Sequence, residues 1–203
     1  MKRIGKAALI ASTIGPVQSI LGWVISGSLW PGYDPIRKTI SDLAADDSPV
    51  QAIQTSFFFL GATLTVIGAI SARTLALPGR ITLFLAGLAT YALAIFTTPS
   101  QVGHSDAHRI SASISFVLMS AWPLLSMRFD RRYSWVVRPA AAIGSTLVLT
   151  LISLWFLSTW LDPNTSVVGL SERVIVTAQV LWLSITVWTC WLHQRKAEVD
   201  FEI

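Results

Sequence analysis

Six apolar stretches constrain this chain more than any other feature: Ala7–Ser28, Pro49–Ala72, Ile81–Thr98, Ile110–Met127, Pro139–Leu161 and Val174–Leu192, none with an acid or a base in its interior. A bilayer core of about 30 Å takes about 20 residues of helix to cross. Within it only a helix or a closed barrel satisfies its own backbone. Unbroken apolar runs of this length are helical, so the expected fold is all-α: a polytopic membrane bundle of six transmembrane helices, one transmembrane domain over residues 1–203. Composition agrees, with 53% hydrophobic and 13% charged residues against roughly 25% charged in soluble domains. Lys2, Arg3 and Lys6 before the first run resemble a signal peptide. The run is long for one and no small-x-small site closes it, so a retained helix is expected.

Charge sets the orientation. With the amino terminus inside, 11 of the 15 Lys and Arg residues lie in inner segments, and only Arg37, Lys38, Arg109 and Arg173 lie outside. The positive-inside rule then puts both termini in the cytoplasm of a multi-pass protein of the cell (plasma) membrane. The acids run the other way: Asp34, Asp42, Asp46, Asp47, Asp106, Asp162 and Glu172 are outside, and Asp130, Glu198, Asp200 and Glu202 inside. The net charge of +4 is spread over short loops between apolar runs, so the expected partner is the lipid bilayer and not nucleic acid. Nothing in the sequence specifies an oligomeric state. The lone Cys190 permits no intrachain disulfide and reads as a packing residue. Small residues, namely Gly61, Ala62, Gly68 and Ala69 in the second run, Ala86 and Gly87 in the third, and Ala140 and Gly144 in the fifth, are expected at close helix contacts.

The chemistry-bearing residues gather in the outer loops. In the first, Asp34-Pro35 reads as a helix start, and Ile36, Ile40 and Leu43 then share a face, which predicts a short amphipathic helix in the interface. Asp34 is a catalytic candidate or a cap; Asp42 is a catalytic candidate or the partner of Lys38; Asp46 and Asp47 read as solvated. Ser48-Pro49-Val50-Gln51 has the form of a capping box opening the second membrane helix. Pro78-Gly79 reads as the turn before the third, and Pro139 as the start of the fifth. In the second outer loop His104, Asp106 and His108 fall within five positions. Were the helix already running there, His104 and His108 would stand one turn apart, a spacing that binds zinc. The alternative has Ser105 capping the helix and Asp106 complementing its dipole. In the third loop Ser171 is a candidate N-cap and Glu172 suits a first turn. Arg173, at an outer helix start, calls for a carboxylate partner or an anionic ligand.

Gly32-Tyr33-Asp34-Pro35 with Thr39-Ile40-Ser41-Asp42-Leu43, then His108 followed by Ala112, then Gly169-Leu170 with Glu172-Arg173, resemble in order and helix spacing a bacterial and archaeal membrane family known as domain of unknown function 998. Ala44 stands where that family usually carries Gly, a departure that speaks against a tight turn there. The resemblance implies the fold and a choice of residues, favouring His108 over His104, and no reaction.

Two functions compete. One is an enzyme acting on or binding a lipid or isoprenoid at the outer face, with Asp34, Asp42 and His108 as catalytic candidates. Ser41, Glu172 and Arg173 would then bind the ligand, with or without a divalent metal such as zinc on His104, Asp106 and His108. The other is a non-catalytic subunit or sensor in which the same charges are structural salt bridges. A small-molecule transporter is third, since no ionisable residue lies mid-membrane. A b-type haem is disfavoured because both outer histidines lie at one end of one helix.

Overall fold

The computed structural model describes residues 3–199, and side chains as far as residue 197. Lys2, Asp200, Glu202 and the side chain of Glu198, counted above for topology, lie outside the described residues. Among these there are seven α-helices and no strand: α1 (Lys6–Ser28), α2 (Ile40–Leu43), α3 (Gln51–Ser71), α4 (Leu77–Ile95), α5 (Asp106–Leu125), α6 (Pro139–Leu161) and α7 (Val168–Val199), with one 3-10 turn at Trp135–Val137. Five of them, α1, α3, α4, α6 and α7, are long and apolar enough to cross a membrane. The expectation of six such spans is met only in part. α5 has the length, 20 residues, but opens on Asp106, His108 and Arg109 and carries Ser111, Ser113, Ser115 and Ser120. The outer faces of the helices present exposed Ile10, Val17, Leu85, Val117 and Leu151, an apolar surface suited to a multi-pass membrane protein.

Each long helix packs on the next in sequence and the last returns to the first, closing a ring α1–α3–α4–α5–α6–α7. At one end, here the basal end, the chain start meets the α3–α4 connection and α7. Ile4 bridges Ala72, and its N–H donates to Gln194 Oε1 at 3.0 Å. Arginines at this end donate to backbone carbonyls: Arg80 to Ala69 and Ile70 in the last turn of α3, which helix geometry leaves without partners, and Arg128 to Thr74 and Leu75 in the connection that follows. Trp122, Leu83, Leu75, Val137 and Val187 form the core beneath.

Helix starts differ from expectation in instructive ways. α6 opens at Pro139 as expected, but Pro78 lies in the first turn of α4 and not in a turn before it. Gly79 is needed for a close approach, since a Cβ there would stand 2.6 Å from the Ser126 backbone nitrogen. Ser48 does not cap α3; its hydroxyl donates to Leu43 O at 2.8 Å and accepts from Val50 N. The expected interfacial helix is only the four-residue α2, and Ile40 and Leu43 are buried under the loop while Ile36 is exposed, so it does not float on the bilayer. α7 begins six residues earlier than expected, at Val168. That places Ser171 inside the helix, where its hydroxyl bonds Thr159 and does not cap. Gly87 meets Val66 and Ala62 as its size predicts, whereas Gly68 and Gly144 face open space.

Candidate functional site

The end opposite the chain termini, the distal end, is built by folding the first loop down onto the start of α7. Gly32 turns the chain with φ +80°, a conformation that favours glycine. Asp34 Oδ1 then accepts from Ile36 N at 2.9 Å, closing one turn, and its other oxygen faces Arg37 at 3.6 Å. Thr39 and Asp42 form a reciprocal capping box at α2: Thr39 Oγ1 accepts from Asp42 N at 3.0 Å and Asp42 Oδ2 from Thr39 N at 2.7 Å. Lys38, expected on Asp42, donates instead to Gln101 Oε1 at 2.7 Å and lies over the Trp30 ring. Asp46 and Asp47 are more than solvated. Asp46 accepts from Thr97 Oγ1 at 2.6 Å, and Asp47 from Gln101 N, tying the first loop to the second.

Arg173 holds the folded loop from below. Its Nη1 donates to Pro35 O (2.7 Å), Lys38 O (2.9 Å) and Gly169 O (2.8 Å), and its Nη2 to the Tyr33 hydroxyl. The guanidinium lies against the rings of Trp23 and Tyr33. The expected carboxylate partner is thus replaced by backbone carbonyls, which suit a planar fork buried away from water. Burial pushes the Tyr33 phenol well above its usual range, so it stays neutral and donates to Thr39 O at 2.6 Å. Gly169 makes the approach possible, because a Cβ there would stand 2.1 Å from Lys38 O and 2.6 Å from Pro35 O.

Glu172, one residue before Arg173 and about 100° around the helix, is buried and points at the start of α2. Its Oε2 accepts from Ile40 N, and its Oε1 lies 3.5 Å from Ser41 Oγ. On the other side of Ser41 stands His108, also buried, its Nε2 3.1 Å from Ser41 Oγ. His108 Nδ1 faces two carbonyls, Phe96 O at 2.9 Å and Leu93 O at 3.2 Å. Carbonyls only accept, so Nδ1 carries a proton; in the neutral ring Nε2 is then bare and accepts the Ser41 hydroxyl. The arrangement runs from a carboxyl through a serine hydroxyl to an imidazole oriented by backbone.

Ser105 caps α5 by accepting from His108 N at 3.3 Å, with Asp106 in the first turn. The helix therefore starts after His104, which is exposed, as is Asp106, while His108 points inward. The three expected metal ligands do not converge, and among the described residues no group of three His, Cys, Asp or Glu is placed to hold a metal ion. Of the other candidates, Ser41, His108 and Glu172 come together; Asp42 stands beside them committed to its cap; Arg173 is a clamp; Asp34 is apart. Burial raises the Asp42 carboxyl above the usual range, opposed by its bonds from Thr39 and by Lys38 and Arg173.

Ser41, Asp42, His108 and Glu172 line the upper part of a groove of about 960 Å³ between α5 and α6. Arg37, Lys38 and Arg109 stand at its mouth, and Val117, Ala121, Leu154 and Leu157 lie deeper. From Arg109 to Ala121 the α5 wall descends about 18 Å at about 1.5 Å per residue. Ser113 and Ser120 on α5, and Thr146, Thr150 and Ser153 on α6, follow helical spacing along it. That periodicity is visible in the sequence, as are Tyr33, Thr39 and Gly169, which the family resemblance singles out without giving them a role.

No curated protein and no solved structure matches the chain. The family model described as Protein of unknown function (DUF998) matches residues 13–189, which hold every residue of this cluster, and the chain belongs to that family.

Proposed function

We propose that this protein is an enzyme that cleaves an ester of a lipid or isoprenoid at the outer face of the cell membrane, with Ser41 as nucleophile and His108 as its base. α5 is the sixth span, and both chain ends are cytoplasmic, as the basic residues of the basal end support. The observation that carries the reading is Ser41 Oγ, 3.1 Å from a His108 nitrogen whose ring is oriented by two carbonyls, on the wall of a groove polar above and apolar below. A nucleophile, a base and a group that orients the base are the minimal set for acyl transfer.

The amphiphile lies with its chain between α5 and α6 and its ester beside Ser41. Ser41 Oγ bonds to the ester carbonyl carbon while its proton passes to His108 Nε2. The Leu93 and Phe96 carbonyls stabilise the imidazolium through Nδ1–H, and His108 then protonates the departing alcohol oxygen as the ester bond breaks. Water repeats the sequence on the acyl-serine and releases the acid. Glu172 positions α2 through Ile40 N, and Arg173 fixes the loop above it.

Purified protein in lipid nanodiscs, assayed on a panel of lipid and isoprenoid esters, tests this. Ser41→Ala and His108→Ala should each lower turnover by about 10²–10⁴-fold, the range for losing a positioned acid-base group, without changing thermal stability in proportion. Undiminished turnover in either variant would sink it. A second reading, a non-catalytic subunit or sensor, is favoured by one observation: Glu172 and Arg173 spend their hydrogen bonds on the first loop's backbone. It gains if Glu172→Gln and Arg173→Gln destabilise the fold alike and the wild type turns over no ester.

A further inference from the structure

Inside the ring, directly beneath Ser41 and Glu172, lies a second cavity of about 140 Å³, distinct from the groove. Its walls come from α1, α3, α4, α5 and α7, and a membrane-buried chamber of this kind could have been wholly apolar. It is not. Gln18 and Gln54 line it, 7% and 2% exposed, and neither Oε1 has a hydrogen-bond partner in the protein. Trp23, also on the wall, has an indole N–H in the same condition. Two acceptors and a donor left bare in an apolar interior are costly, and such groups are regularly satisfied by internal water. The volume is several times the ~10–15 Å³ that one water needs.

The position is as telling as the lining. Ser41, Ala112, Phe116 and Glu172 line both the chamber and the groove. The Ser41 hydroxyl and the Glu172 carboxyl therefore stand between the groove and an inner, mostly apolar space whose walls carry these bare polar groups. An ester lying in the groove shields Ser41 from bulk water on that side, whereas hydrolysis of an acyl-serine consumes one water per turnover. We propose that the central chamber is hydrated and supplies the water that releases the acyl group from Ser41. The chamber's hydration stands on its own geometry; its role rests on the esterase reading above. The water crosses at Ser41, gives a proton to His108 Nε2, and adds its oxygen to the acyl carbon as the bond to Ser41 Oγ breaks; the proton returns to Ser41.

Hydroxyl-radical footprinting by X-ray radiolysis tests hydration, because radicals made from internal water oxidise the side chains around it. In the full chain in nanodiscs, Met119 and Phe57, which line the chamber, should label several-fold faster than Phe59, an exposed apolar residue of α3. Gln54→Leu should slow that labelling severalfold. Gly68→Leu, which grows from a buried position with nothing within 4 Å of its Cβ, should do the same if Gln54→Leu folds poorly. Labelling of Met119 and Phe57 no faster than Phe59 overturns the proposal. For the role, both variants should capture a fluorophosphonate at Ser41 at the wild-type rate but release acyl groups several-fold more slowly in a burst assay. Wild-type release in variants with reduced labelling overturns the supply role. A wild type that labels internally yet neither captures the probe nor turns over ester overturns the supply role through the esterase reading, and leaves hydration confirmed.

Discussion

Gly169→Ala perturbs the point on which the distal end depends. The added Cβ would stand 2.1 Å from Lys38 O, and Cβ atoms essentially never approach within 3.0 Å, so that carbonyl must retreat by about 0.9 Å, the difference of the two. Pro35 O, at 2.6 Å from the same Cβ, must retreat as well. Both oxygens are Arg173 acceptors, at 2.9 and 2.7 Å. A retreat of about 0.9 Å takes the Lys38 contact beyond hydrogen-bond range, whereas the roughly 0.4 Å asked of Pro35 O leaves its contact stretched but in place. Bonds to a charged donor contribute about 1.5–3 kcal/mol each, and the gain in helix propensity from Gly to Ala offsets up to about 1 kcal/mol. With one such bond lost, the expected net loss is about 0.5–3 kcal/mol, which lowers Tm by roughly 1–12 °C at about 2–4 °C per kcal/mol for a chain of this size. Thermal unfolding in detergent, monitored by intrinsic Trp fluorescence, measures it. Gly144→Ala, where a Cβ meets nothing within 4 Å, is the matched control and should leave Tm unchanged or raised. If Gly169→Ala unfolds with the wild type, the loop does not rest on α7 as described.

Other outcomes follow from single contacts. Arg173→Lys keeps the charge but not the fork that reaches Pro35 O, Lys38 O, Gly169 O and Tyr33; it should lose at least about 3 kcal/mol in the same unfolding assay, and equal stability would contradict the clamp. Asp42 binds a proton more readily folded than unfolded, because burial raises its pKa, so stability should fall as pH rises from the ordinary carboxylate value through the raised one. Asp42→Asn keeps an oxygen for Thr39 N and should flatten that slope; an unchanged slope places the titration elsewhere. Ser105→Ala removes the cap of α5 and should cost about 1 kcal/mol while leaving ester turnover in place, a combination that separates stability from chemistry.

The membrane helices were legible because each depends on local composition: α6 opens at Pro139, and α1 spans Lys6–Ser28 within a residue of the apolar run. Ser105 was legible as a cap because capping is settled within three residues. The same short-range rule misled at Ser48-Pro49-Val50-Gln51, while Thr39-Ile40-Ser41-Asp42 fits it and holds the box; side chains three residues apart cannot reveal which carbonyl a distant loop offers. The start of α5 after Ser105 leaves His104 outside the helix and exposed, with His108 inside it and buried. Arg173 stood out as calling for a partner, and the carbonyls of Pro35 and Lys38 that take it lie more than a hundred positions away, beside Gly169 O and the Tyr33 hydroxyl. Glu172 read as a first-turn acid, and its meeting with Ser41 depends on the ring closing α7 against α1.

On the proposed reading Ser41 is a nucleophile activated by His108 in the groove between α5 and α6. Incubating the nanodisc-embedded protein with a long-chain alkyl fluorophosphonate and locating the adduct by peptide mass spectrometry tests it most directly. One adduct is expected, on Ser41, lost in His108→Ala and competed by the ester substrate but not by its short-chain counterpart. An adduct on another serine, or labelling of Ser41 that is indifferent to His108, would contradict it.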